Sequence, residues 1–129
     1  MMHLKSQDEI EKIRASCRIA ADAMALMVDL VAPGIATAQL DEVADSYIRQ
    51  QGAVASALNY RGYPRSICTS INEEVVHGIP GARRLENGDI ISVDIAVKHA
   101  GYHGDMNVSF AVGDVDSEAV RLLATTKEG

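Results

Sequence analysis

The hydrophobic period of this chain changes at Gly52. Before it, apolar residues return every three or four positions, the repeat of a helix face; after it they alternate, the repeat of a half-buried strand. Two such blocks in succession predict an α+β layout, with helices packed on an antiparallel sheet. Ser6-Gln-Asp-Glu9 is a capping-box pattern and opens the helical block. Ile10, Ile13, Cys17, Ala20, Met24, Met27 and Val31 follow at helical spacing, and Ala32-Pro33-Gly34 ends the run. Thr37 is the expected N-cap of a second helix, with Leu40, Val43, Ala44, Tyr47 and Ile48 on one side and Gly52 as its stop.

Past Gly52, Ala53 to Leu58 reads as a short strand and Asn59 to Pro64 as a loop with two tyrosines. Ser66 to Ile71 suits a strand, and Asn72-Glu-Glu74 turns the chain. Val75-Val76-His77 reads as extended before Gly78-Ile-Pro-Gly81 breaks it. Asn87-Gly88 is a strong turn signal. Ile90 to Lys98 is the clearest strand, and Met106 to Val112 is another. Ser117 is the expected N-cap of a short third helix, Glu118 to Lys127. Residues 1–129 thus predict a single domain of two helices, a sheet and a helical stub at 117–129.

Charge and composition remove several functions. With 12 basic and 18 acidic side chains the net charge is −6, which argues against a general nucleic-acid surface. Arg61, Arg65, Arg83 and Arg84 read as solvated loop charges. No apolar run reaches the length of a membrane span, and the charged first residues lack the apolar core of a signal peptide. Cys17 and Cys68 read as reduced thiols, Cys17 on an apolar helix face, so a cytoplasmic setting is expected.

The clearest strand also carries the most pointed chemistry. Ile91, Val93, Ile95 and Val97 make one apolar face, and Ser92, Asp94 and Ala96 face the other way. A carboxylate between small neighbours leaves room for a ligand. A hairpin turn centred on His99-Ala100 would place Asp94 directly opposite Asp105, with β-carbons about 4.5 to 5.5 Å apart. Like charges so placed repel, and a shared cation would convert that repulsion into coordination. A bulge at Gly101 would shift the register. The bland alternative is that Asp94 is an edge-strand charge and Asp105 a turn residue after Gly104. Two carboxylates underfill a transition-metal site, which usually takes three or more protein ligands. His77, His99 and His103 are candidates to help: His77 sits among stiff neighbours, His99 in a solvated turn and His103 beside Asp105.

Tyr60-Arg-Gly-Tyr-Pro-Arg-Ser-Ile-Cys-Thr-Ser-Ile-Asn-Glu-Glu-Val-Val-His-Gly-Ile-Pro80 resembles the signature of the type I methionine aminopeptidases. So do Asn87-Gly-Asp-Ile-Ile-Ser-Val-Asp-Ile95 and Gly101-Tyr-His-Gly-Asp-Met-Asn107, and the resemblance runs over the whole chain. It implies one half of a pita-bread fold, in which two related α+β halves surround a dinuclear metal site. The implied activity is removal of initiator methionine from polypeptides with a small second residue. By motif, Asp94 and Asp105 match two metal ligands, with Asp105 bridging two divalent ions (manganese, iron, cobalt or zinc). His77 matches a catalytic histidine that contacts the substrate amide. Tyr60, Tyr63, Cys68 and His77 match substrate-binding positions; Ala57 stands where some relatives carry a cysteine.

The resemblance also implies a second half with a histidine and two glutamates as the remaining ligands. After Asp105 this sequence offers only Asp114, Asp116, Glu118 and Glu128, and no histidine follows His103. Three expectations follow. The chain is half of an aminopeptidase and is inactive or weakly active alone, awaiting a complementing second half. Or two copies form a metal-binding homodimer that imitates the two-half fold. Or the half is a non-catalytic binding module, a reading that the retained Asp94, Asp105 and His77 disfavour.

Overall fold

A computed structural model describes residues 1–129. Helices α1 (Gln7–Leu30) and α2 (Thr37–Gln50) precede strands β1 (Val54–Ala55), β2 (Cys68–Ile71), β3 (Ile90–His99) and β4 (Tyr102–Ala111); α3 (Ser117–Glu128) closes the chain. The expected α+β architecture is present. Strand β3 is the spine of an antiparallel sheet: β4 pairs along one edge, and β1 and β2 lie end to end along the other.

The core forms where the two periods meet. Ile91, Val93, Ile95 and Val97 are fully buried on one face of β3. Ala20, Ala23, Met24 and Met27 of α1 and Leu40, Ala44 and Ile48 of α2 join them in one core. With no Trp and one Phe in the chain, this interior is almost entirely aliphatic. α1 also lies against β4, and Gly104 is where they touch: a Cβ there would collide with the Ser16 and Cys17 backbone.

Several local expectations are corrected. The hairpin turn is Ala100-Gly101, both left-handed at φ 50° and 83°, not His99-Ala100, and no bulge intervenes. Such a two-residue turn needs positive φ at both central positions, which matches the twist of the strands. Cys17 is exposed; the buried residue at that turn of α1 is Ser16, whose hydroxyl donates to the Tyr102 carbonyl at 2.8 Å. Val43 is likewise exposed, and the buried neighbour on α2 is Asp41. The strand expected over Ala53 to Leu58 shrinks to Val54–Ala55. Val75 and Val76 are exposed and outside the sheet, and His77 has φ 58°, so that segment is not an extended strand.

The caps shift by one residue at two helices. Ser6 and Glu9 form the expected capping box. At α2 the cap is Ala36; Thr37 instead exchanges hydrogen bonds with the Gly81 backbone through its hydroxyl. At α3 the cap is Asp116, which accepts from Ala119 N–H at 2.8 Å. No residue of α3 is buried. No helix is long and apolar enough to cross a membrane.

Candidate active site

The face of the sheet opposite the helices carries Ser92, Asp94 and Ala96 on β3 and His103, Asp105, Asn107 and Ser109 on β4. The observed register pairs Asp94 with Asn107 and Ala96 with Asp105, so the two aspartates are diagonal neighbours rather than directly opposed. Diagonal residues on one face sit about 7–8 Å apart at their α-carbons, within joint reach of a bound ion. Asn107 donates to Asp94 Oδ2 at 3.1 Å and orients that carboxylate.

Although Asp105 is open to solvent on one side, its carboxyl titrates above the ordinary aspartate range. Partial burial of the carboxyl is the main cause, and the adjacent Asp94 charge adds to it. Two anions held this close are a ready pair of hard oxygen ligands for a divalent cation. No set of three or more His, Cys, Asp or Glu side chains converges anywhere in the chain. Two carboxylates alone underfill a transition-metal site.

The cleft above them, about 760 Å³, is lined by the six residues that the family motifs point to: Tyr60, Tyr63, Cys68, His77, Asp94 and Asp105. Each arrives from a different local device. Tyr60 and Tyr63 sit on a tight loop with Asn59, Arg61 and Gly62 in left-handed conformations. Tyr63 donates through its hydroxyl to the carbonyls of Ile67 at 2.9 Å and Gly78 at 3.2 Å, tying that loop to both flanks of β2. Burial pushes the Tyr63 phenol far above its usual range, so it remains a donor. Cys68 pairs with Asp94 across β2 and β3. Burial and the nearby carboxylates raise its thiol, although its contact with Tyr63 acts the other way. A neutral thiol suits a wall, not a nucleophile.

His77 is exposed on the segment between β2 and Gly81. Gly78 lets that segment lie against β2: its carbonyl accepts from Thr69 N–H at 2.8 Å and its N–H donates to Ser70 Oγ at 3.1 Å. A Cβ at position 78 would strike the Thr69 carbonyl oxygen. His103 also lines the cleft, with Nδ1 2.8 Å from Ser56 Oγ. His99 is half-buried on β3 and outside the cleft, so it is neither a fully solvated turn residue nor a site residue.

The profile of metallopeptidase family M24 matches residues 11–129. The chain belongs to family M24. Among curated M24 relatives, a methionine aminopeptidase of Clostridium acetobutylicum is 43% identical over 129 residues, 99% of this chain and 52% of the relative. Methionine aminopeptidase 1 of Bacillus subtilis is 43% identical over 128 residues, with the same coverage of both proteins. The crystal structure of methionine aminopeptidase from Rickettsia prowazekii superposes with a TM-score of 0.96 at 37% identity, covering 99% of this chain and 52% of that one. The M24 chain thus matches about half of the pita-bread fold of those enzymes and spans about half the length of the relatives it matches.

Two features of this M24 cleft escaped the sequence reading. Asn107 acts on Asp94 only through the observed register, which was placed one turn residue away. The Ser56 to His103 contact joins residues 47 apart and left no local pattern.

Proposed function

We propose that this chain supplies one half of the active site of a methionine aminopeptidase, which removes N-terminal methionine when the next residue is small. The observation that carries this reading is convergence. Two carboxylates, an exposed histidine and a wall of Tyr60, Tyr63 and Cys68 line one cleft of about 760 Å³.

Asp94 and Asp105 would hold divalent ions, with manganese, iron, cobalt and zinc all compatible with carboxylate ligands. Such ions supply a water that ionises near neutral pH. The rest falls to the chain's own side chains. Tyr60, Tyr63 and Cys68 give an apolar, polarisable surface that suits an unbranched thioether. His77, which also lines the cleft, would hydrogen-bond the amide of the bond to be cut. Asn107 fixes the rotamer of Asp94 by its 3.1 Å hydrogen bond.

The resemblance requires a further histidine and two glutamates, and these would come from a second α+β unit. A complementing half is the implied partner. A second copy of this chain is the alternative, favoured by the outer edge of β4, which pairs with no strand, and by α3, which buries no residue. Two unbridged cysteines support a reducing, cytoplasmic setting.

Mass measurement under native conditions, paired with hydrolysis of Met-Ala and Met-Gly peptides, tests the reading. The expected result is a monomer with weak divalent-metal binding and slow or no turnover, restored by the complementing half. A dimer that retains metal supports the two-copy reading. Fast metal-dependent hydrolysis by a confirmed monomer overturns the half-site proposal.

A further inference from the structure

We propose that Arg61 is a specificity residue that binds a carboxylate of the peptide substrate on the residues following the scissile bond. The inference rests on the aminopeptidase reading above and extends it to substrate class.

Three observations single out Arg61 from the chain's other cations. It lines the same cleft as Asp94, Asp105 and His77. None of the chain's five ion pairs involves it; they join Lys12 to Asp8, Arg14 to Glu11, Arg49 to Asp45, Arg65 to Asp41 and Arg83 to Glu74. Its guanidinium lies 5.3 Å from the centre of the Tyr60 ring, so the charge is held against one wall of the cleft. Stacking of this kind orients a guanidinium while leaving its edge free to donate.

The backbone supports the same conclusion. Arg61 has φ 49°, a left-handed conformation between Asn59 at 65° and Gly62 at 81°. Asparagine and glycine tolerate that region, but a long side chain is disfavoured there. Arg61 adopts a conformation it disfavours in the lining of the cleft, with no protein carboxylate to neutralise it.

The charge of the rest of the chain explains why a cation is useful. Divalent ions on Asp94 and Asp105 would offset those two charges, and of the net charge of −6 the other −4 lies elsewhere in the chain. An acidic peptide would meet a repulsive field on approach. Arg61 offers the compensating charge on the tyrosine loop, apart from the strands that carry the two aspartates. The ligand chemistry is a peptide carboxylate, with two sources: an acidic side chain shortly after the N-terminal methionine, or the C-terminal carboxylate of a very short peptide.

Peptide affinity of the protein in its metal-loaded assembly, measured by calorimetry, separates these outcomes. The probes are Met-Gly-Glu-amide, Met-Gly-Gln-amide and Met-Gly-Gln with a free C-terminus, with Gln-Gly-Glu-amide as the control lacking methionine. An exposed ion pair of this kind predicts that one or both carboxylate peptides bind about two- to five-fold tighter than Met-Gly-Gln-amide. Arg61→Gln brings the ratio to one, Arg61→Lys restores part of it, and added salt shrinks it. The side-chain and C-terminal arms identify the source. A preference that survives in Arg61→Gln, or no preference in the wild type while methionine-dependent binding persists, overturns the role of Arg61 alone. Loss of any distinction between methionine and glutamine peptides overturns the aminopeptidase reading, and this inference with it.

Discussion

The Asp41 carboxylate on α2 accepts the backbone N–H of Ser66 at 2.8 Å, across 25 residues of sequence. The same oxygen accepts Ile67 N–H at 3.0 Å, and Asp45 one turn on accepts the Ser66 hydroxyl at 2.6 Å. Helix α2 thereby fixes the residues that lead into β2 and Cys68. Asp41, Ser66 and Ile67 are all buried, so water cannot replace a lost partner. Asp41→Ala leaves two N–H groups unsatisfied and should cost about 1–3 kcal/mol for each. Urea unfolding of the variant checks this; a midpoint equal to wild type contradicts it.

Asp89 provides a prediction about acid. Burial alone would raise its carboxyl, but hydrogen bonds from Glu86 N–H at 2.8 Å and the Asn72 side chain at 2.9 Å outweigh it. The net shift is downward. A carboxyl lowered in the folded state favours folding at every pH above its unfolded value, and the benefit disappears as pH falls through the folded value. Asp89 should therefore stabilise the chain fully above about pH 5 and progressively less below pH 4. Stability measured across that range should fall less steeply in Asp89→Asn than in the wild type. Identical slopes would remove Asp89 from the explanation.

Gly104 is the point where α1 and β4 meet with no space between them. Gly104→Ala places a methyl group against the Ser16 and Cys17 backbone. Overpacking against backbone should cost about 1–3 kcal/mol, read as a lower melting temperature. Gly101→Ala, with open space around it, should cost less and only through its left-handed φ. The reverse order would show that the helix and the strand separate easily.

Asn107 makes a prediction that a purely structural role would not. Removing a partner that orients a metal-binding carboxylate lowers metal affinity by about 10–100-fold. Asn107→Ala should show that loss toward manganese or cobalt in calorimetry while its melting temperature in the absence of metal stays close to wild type. Asp94→Asn and Asp105→Asn should lose metal binding altogether. Unaltered affinity in Asn107→Ala would mean that Asp94 needs no help.

What could be read in the sequence follows from what is local. β3 was legible because its faces differ so sharply: Ile91, Val93, Ile95 and Val97 against Ser92, Asp94 and Ala96. The capping box at Ser6 was legible for the same reason. The hairpin register was not, because it hangs on Ala100 adopting a left-handed conformation that alanine rarely takes. Cys17 looked like a core residue by spacing, yet Ser16 is buried because the carbonyls of Tyr102 and His99 satisfy its hydroxyl. Val75 and Val76 have strand preferences, but the close approach of Gly78 to β2 carries them out of the sheet. The cleft residues were named through family motifs; their arrangement around one cavity needed the fold.

The turn at Ala100-Gly101 has a consequence for how this chain can vary. Gly104 faces α1 and Asp105 faces the cleft, one step apart on the same strand. A strand that slips by one residue exchanges its two sides. An insertion in the turn that shifted β4 would carry the carboxylate under the helix and the glycine out to the substrate side. The seat of the helix and the chemistry of the cleft are thus locked in phase, and neither can drift without the other.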